Sequence, residues 1–123
     1  MQARLNIVNG YENAVFISIH QNAFPIEKYS GTQIYYSPNN ASSRELAVGI
    51  EQSVRDALQP ENKRISKSSD GKIYLLDELE CPSVLIECGF LSNAEECALL
   101  CTEEYQNHLC AVMAAEVAEQ LFT

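Results

Sequence analysis

Residues 82–89 read PSVLIECG, a short aliphatic run that opens with proline and carries a glutamate close to its end. Such a run is typical of a strand buried on both faces of a parallel sheet. The proline stands at the start, where its missing N–H removes no ladder hydrogen bond. A second run of the same kind, AVFISIH at residues 14–20, ends in a histidine. Together the two runs predict two central strands of one sheet.

Helical patterns surround these runs. Apolar residues recur at helical spacing in residues 2–12, in residues 42–58 and in a last helix that opens at Thr102, and a short helix is also predicted over residues 93–100. Ser42 with Glu45, and Asn93 with Glu96, have the spacing of a capping box and predict two of the helix starts.

Two further segments have strand character. In residues 31–37, GTQIYYS, the side chains Thr32, Ile34 and Tyr36 alternate with Gln33 and Tyr35, which predicts a more exposed strand. Residues 72–76, KIYLL, predict a short strand or an extended connection. Strands interleaved with helices indicate an α/β layer fold.

The composition indicates one domain and excludes several partners. A chain of 123 residues with 46% hydrophobic residues can build one core. Eight basic residues against 17 acidic ones give a net charge of −9, and no basic cluster is present. Nucleic acids and anionic lipid surfaces are therefore not expected as partners.

The sequence shows neither a membrane span nor a secretion signal. No apolar run reaches the roughly 20 residues that a span needs, and the first residues, MQARLNIVNGYE, lack the pattern of a signal peptide. The five cysteines are odd in number and form no CxxC pair. They are expected to be reduced, small apolar residues of the core rather than disulfides or zinc ligands.

Two ionisable residues lie where a ligand would be expected. In open α/β sheets, ligands bind outside the carboxyl ends of the parallel strands. His20 closes the first run and Glu87 nearly closes the second. If the strands are neighbours, His20 and Glu87 could serve as metal ligand and general base of a zinc hydrolase.

Other interpretations of these residues stay open. His20 could be a core histidine with a satisfied hydrogen bond, and a buried Glu87 could pair with an arginine; the candidates are Arg4, Arg44, Arg55 and Arg64. A thiol mechanism would use Cys88 as nucleophile and His20 as base. Strand alternation places Cys88 on the face opposite Glu87, which favours a core role for Cys88.

Longer stretches of the sequence resemble a known family. FISIHQNAF (16–24), GTQIYYS (31–37), ELAVGIEQSV (45–54), NKRISKSSDGKIYLL (62–76), PSVLIECGFLSNAEECALL (82–100) and EEYQNHLCAVMAAEVAEQL (103–121) are similar, in order and spacing, to the zinc-dependent N-acetylmuramoyl-L-alanine amidases of type 3. These are cell-wall hydrolases, and the branch resembled includes sporulation enzymes. The likeness extends over nearly the whole chain.

The resemblance implies roles for particular residues. His20 matches the last zinc-binding histidine of the family, and Glu87 matches the glutamate that activates the attacking water. Asn22 and Asn93, in the same motifs, would contact substrate. The implied reaction is hydrolysis of the amide between the lactyl group of N-acetylmuramic acid and the L-alanine of the peptidoglycan stem peptide.

The chain also departs from the family. Family domains begin with a strand ending in a DPGHGG-like loop, which supplies the first zinc histidine, and a following helix supplies a glutamate ligand; this sequence has neither segment. Residues 1–123 would then form one amidase domain that corresponds to its C-terminal portion. The expected fold is a three-layer αβα arrangement with a mostly parallel central sheet, without the family's first strand and helix.

The missing segments affect the expected metal site. A catalytic zinc ion needs three protein ligands, so zinc is expected to bind weakly or not at all. His108 is predicted to be a surface residue, and Glu12 and Glu27 are predicted to be solvated.

A sheet without its first strand exposes an edge, which predicts self-association. Peptidoglycan fragments are the expected partner, and the family's location is the cell envelope or the extracellular space. A non-catalytic role, binding wall fragments or a partner amidase, is the alternative to hydrolysis.

Overall fold

The computed structural model describes residues 1–122. They form four strands and five helices. In chain order these are α1 (Gln2–Asn9), β1 (Phe16–Asn22), β2 (Gln33–Tyr36), α2 (Ala41–Leu58), β3 (Lys67–Ser68), α3 (Tyr74–Glu78), β4 (Ser83–Phe90), α4 (Ala94–Leu100) and α5 (Glu103–Phe122).

The four strands form one mixed sheet in the order β1-β4-β2-β3. β4 lies parallel to β1 and antiparallel to β2, and β2 is parallel to β3. Two of the three pairings are thus parallel, as predicted for a mostly parallel sheet.

Helices cover both faces of the sheet. Neighbouring residues of a strand point to opposite faces, and Phe16 and Ile17 accordingly pack in different clusters. Ile17 joins the large cluster formed with α2 and α5, whereas Phe16 joins a small one with Leu5, Leu75 and Leu79. The three-layer αβα architecture is therefore confirmed.

The prediction of two central strands is correct for β4 and wrong for β1. Val84 and Ile86 of β4 are fully buried, but β1 pairs with β4 alone among the described strands. Ile19 in β1 is 54% exposed. An aliphatic run reflects burial, but it does not show how many strands lie beside it.

Two shorter segments also differ from expectation. The segment at 31–37 is not an exposed strand, because β2 lies between β4 and β3 and buries Gln33 and Ile34. KIYLL is not extended: its last residues enter α3, where the Asp77 carboxylate accepts hydrogen bonds from the backbone N–H groups of Gly71 and Ile73 at 3.0 and 3.2 Å. These bonds close a turn and favour helix over strand.

The helix starts are partly as predicted. Asn93 caps α4 by accepting from the Glu96 N–H at 2.9 Å, and Thr102 accepts from the Tyr105 N–H at 3.2 Å. α2, in contrast, begins at Ala41, and its cap is Asn40, which accepts from the Ser42 N–H at 2.9 Å. The capping box proposed at Ser42 is therefore wrong.

The cysteines are free thiols, but not all of them belong to the core. Cys88 is buried, Cys81 and Cys97 are partly exposed, and Cys101 and Cys110 are exposed. Within residues 1–122, none of the helices has the length and apolarity needed to cross a bilayer.

Candidate functional site

His20 and Glu87 are direct neighbours across the parallel β1–β4 pair. They occupy the same register position, so their side chains leave the sheet on the same face. The small apolar cluster that includes Leu5 and Leu75 contacts β1 at Phe16. Further along the same face, His20 is exposed and Glu87 is half-buried. The expected adjacency is present, whereas the catalytic roles stay predictions.

The surroundings of Glu87 combine one hydrogen bond with partial burial. Asn22 Nδ2 donates to Glu87 Oε1 at 3.2 Å. A register irregularity after His20 pairs Asn22 with Phe90 and brings its amide to this face. Burial raises the pKa of the Glu87 carboxyl above its ordinary value, while the charges of His20 and Arg64 act to lower it. Glu87 is thus a stronger base than an exposed glutamate.

Two residues of this site were not assigned a catalytic or binding role from the sequence. Tyr35 pairs in register with Leu85, and its pKa is raised first by burial and then by the charge of Glu87, with Arg64 opposing. Strand alternation of Gln33, Tyr35 and Glu87 was the available signal. Arg64 lies in a loop and gave no local signal beyond its charge.

The described residues do not form a complete zinc site. His20 Nε2 lies 2.8 Å from the Ser18 hydroxyl, and residues 1–122 contain no group of three His, Cys, Asp or Glu side chains arranged to hold a metal ion. A catalytic zinc ion is held by three protein ligands. His20 is therefore one candidate ligand without the others, and His108, Glu12 and Glu27 are all exposed.

Asn93 has its side-chain groups engaged within the protein. Its Oδ1 caps α4, and its Nδ2 donates to the Glu27 carbonyl at 3.1 Å. These bonds connect the loop after β1 with α4, close to the end of β4. Contact of Asn93 with substrate stays a prediction.

The Glu96 carboxylate joins the end of β4 to the loop before β2. Its carboxylate accepts from the Phe90 N–H at 2.6 Å and from the Gly31 N–H at 2.9 Å. In a capping box it would bond the Asn93 N–H, but that group donates to the Phe90 carbonyl instead. A Cβ on Gly89 would lie 2.6 Å from Glu96 Oε1, so a larger residue there would displace the carboxylate from its bonds to Phe90 and Gly31.

The geometry contradicts the thiol mechanism. Cys88 packs in the large cluster on the face opposite His20 and Glu87, and it is 3% exposed. Burial raises the pKa of the Cys88 thiol to about 11. A protonated, buried sulfur on the far side of the sheet cannot use His20 as its base.

The sequence profile of one family, Amidase_3 (N-acetylmuramoyl-L-alanine amidase), matches residues 1–119. A germination-specific N-acetylmuramoyl-L-alanine amidase of Bacillus subtilis is 36% identical over 107 residues, which cover 87% of this chain and 44% of that protein. The chain thus spans less than half of this relative.

Solved structures show the same likeness. The CwlD amidase of Clostridioides difficile, determined in complex with the GerS lipoprotein, has a TM-score of 0.89 and 40% identity, over 98% of this chain and 60% of that one. The amidase AmiC2 of Nostoc punctiforme has a TM-score of 0.87 at 24% identity, over 100% and 66%, and shows the shared fold. The chain belongs to the Amidase_3 family of N-acetylmuramoyl-L-alanine amidases.

Proposed function

We propose that this chain carries the general base of a peptidoglycan amidase and that Glu87 is that base. The substrate bond is the amide between the lactyl group of N-acetylmuramic acid and L-alanine. The observation that carries the proposal is the register pairing of His20 with Glu87 on an open face of a sheet whose family is known. Residues 1–123 form the C-terminal portion of that catalytic domain.

Glu87 is suited to take a proton from water. Its partial burial makes it more basic than an exposed glutamate, and the Asn22 amide orients one carboxylate oxygen by donating to it. The second oxygen is left to accept from a water that attacks the amide carbon. Asn93 supports the neighbouring loop and contacts the substrate at the rim.

Zinc enters this proposal through His20 alone. We propose His20 as one ligand of the metal that the family uses, and the described residues do not complete its coordination.

The second candidate function is binding without hydrolysis. It is favoured by the incomplete ligand set among residues 1–122. The ligand would be a wall fragment, or a partner protein like the lipoprotein in the CwlD complex.

An assay of amide hydrolysis tests the first candidate. The chain is incubated with zinc and a muramoyl peptide, and newly freed L-alanine amino groups are quantified. Because the described residues do not complete the zinc site, we expect slow release by the wild type, and we expect Glu87→Gln to lower it at least about 100-fold, since general-base catalysis contributes that much. Glu12→Gln, an exposed control, should behave as the wild type.

The outcome separates the two candidates. Retention of the muramoyl peptide without any hydrolysis would contradict the amidase proposal and favour the binding role. Hydrolysis that persists in Glu87→Gln would show that another group is the base.

Two further properties belong to the same proposal. The chain acts in the cell envelope or outside the cell, where its relatives' wall substrate lies, and it self-associates through the edge of β1. The exposure of Ile19 on that edge supports self-association.

A further inference from the structure

Arg64 is held by its backbone on both sides. Its N–H donates to Asn62 Oδ1 at 3.0 Å, and its carbonyl accepts from Arg55 Nη2 at 2.9 Å. Asn62 is in turn fixed to the residue before β2, because its Nδ2 donates to the Thr32 carbonyl at 3.1 Å. The loop therefore presents the Arg64 side chain from a rigid base.

The Arg64 side chain is positioned, but no residue that the structure describes forms an ion pair with it. The guanidinium carbon lies 4.6 Å from the centroid of the Phe90 ring and 5.7 Å from that of Tyr29, and Nε donates to the Ser30 carbonyl at 2.7 Å. Within residues 1–122, the one ion pair joins Arg55 and Glu51. The two terminal amino groups of Arg64 thus keep their hydrogen atoms available.

Arg64 lines a cavity of about 490 Å³. Lys28, Lys63 and Arg64 line it, three of the eight basic residues of a chain whose net charge is −9. Of the two acidic residues in its wall, Glu61 and Glu96, the latter is occupied by backbone N–H donors. The volume suits a small ligand or part of a peptide.

The cavity lies beside the proposed base. The loop that carries Arg64 is joined to the strand position beside Glu87, because Gln33 pairs in register with Glu87 and its Nε2 donates to the Ile65 carbonyl at 2.7 Å. The Arg64 guanidinium also lies over the ring of Phe90, the last residue of the strand that carries Glu87. We propose that Arg64 binds a carboxylate of the stem peptide and thereby places the lactyl amide next to Glu87. This inference rests on the proposed function, because the peptide is then the part of the substrate that extends from the scissile amide.

A carboxylate is the ligand that matches this arrangement. The planar fork of a guanidinium donates two parallel hydrogen bonds to the two oxygens of a carboxylate. The rings of Phe90 and Tyr29 lie against the guanidinium and restrict its motion, which reduces the freedom lost on binding. Lysine could supply the charge but not the paired geometry.

Calorimetric titration tests the proposal. The ligand is N-acetylmuramoyl-L-alanyl-D-glutamate, compared with the same compound in which both carboxylates are carboxamides. We expect Arg64→Gln to weaken binding of the acid by about tenfold or more, as loss of a charge-assisted pair does. Arg64→Lys should recover part of the loss, and binding of the diamide should not depend on position 64.

Lys72→Gln is the matched control. It removes the same charge from an exposed position outside the cavity and should leave binding unchanged. Equal binding of the acid by wild type and Arg64→Gln, with unchanged circular dichroism, would overturn the inference. So would equal losses in Arg64→Gln and Lys72→Gln, or a wild type that binds neither ligand. Because the hydrolysis assay is independent, a wild type that cleaves the amide without any effect of Arg64 would leave the proposed function standing.

Discussion

Residues from three segments of the chain surround the Glu87 carboxyl. Asn22 donates to it from β1, Gln33 stands opposite it on β2, and Arg64 contributes charge from a loop. Burial dominates these influences and raises the pKa of Glu87 above its ordinary value of 4.5. The folded protein therefore holds the Glu87 proton more firmly than the unfolded chain does.

Replacing Glu87 should consequently stabilise the fold in a pH-dependent way. The ionised carboxylate is unfavourable in the folded state above its raised pKa, and Glu87→Gln removes that cost while keeping an acceptor for Asn22. We expect a higher urea midpoint for Glu87→Gln than for wild type at pH 7. Below the ordinary value of 4.5, where both states carry a neutral group, the difference should disappear.

Glu12→Gln serves as the comparison, because its carboxyl is exposed and its replacement should change the midpoint little at either pH. A Glu87→Gln protein that is less stable than wild type at pH 7 would contradict the raised pKa.

At the scale of elements, the start of α2 offers a direct comparison between two candidate caps. Asn40 accepts from the Ser42 N–H and also donates to the Glu80 carbonyl at 3.0 Å. We expect Asn40→Ala to lower the free energy of unfolding by about 1 kcal/mol, as loss of an N-cap does. Ser42→Ala should change it by less than about 0.5 kcal/mol, which is usual for a surface substitution. Chemical denaturation measures both, and the reverse order would restore the capping box at Ser42.

Sequence patterns predicted where the helices and strands lie better than they predicted which strands pair with each other. β4 follows from its aliphatic run, and the α4 cap follows from Asn93, although the Glu96 side chain bonds Phe90 and Gly31 and not the Asn93 N–H. β1 has the same run but lies at an edge, because strand order depends on contacts distant in the sequence. KIYLL became helical through the Asp77 carboxylate, whose bonds to Gly71 and Ile73 depend on the turn conformation.

The residues of the candidate site were likewise predicted only in part. His20 and Glu87 could be placed together because both end aliphatic runs, and parallel strands bring such ends to one edge. Arg64 and Glu96 could not, since Arg64 donates to the Ser30 carbonyl and Glu96 accepts from the Gly31 N–H, and both groups lie in a remote segment. No periodicity in the sequence records such contacts.

At the scale of the whole molecule, one side of the fold exposes an apolar surface beside an unpaired strand edge. Ile17 and Ile19 of β1 line a groove of about 390 Å³ together with Met113, Val117 and Phe122 of α5. An open edge next to apolar side chains favours association.

We expect the purified chain to have a mass above its monomer value of 13.7 kDa in light scattering, increasingly so at higher concentration. Ile19→Lys should return it to the monomer mass, because a charge on the edge opposes strand pairing. Ile65→Lys, at a position 66% exposed outside the groove, should not. A wild type that is monomeric at every concentration would contradict self-association.

A titration of Glu87 itself tests the proposed site, because that site requires the Glu87 carboxylate to face the His20 imidazole. Carbon-13 NMR of the Glu87 side-chain carboxyl measures its pKa in wild type and in His20→Gln. We expect a pKa above the ordinary 4.5 in wild type and a further rise in His20→Gln, since the positive charge of His20 lowers it. A Glu87 that titrates like an exposed glutamate and does not respond to His20→Gln would contradict the account.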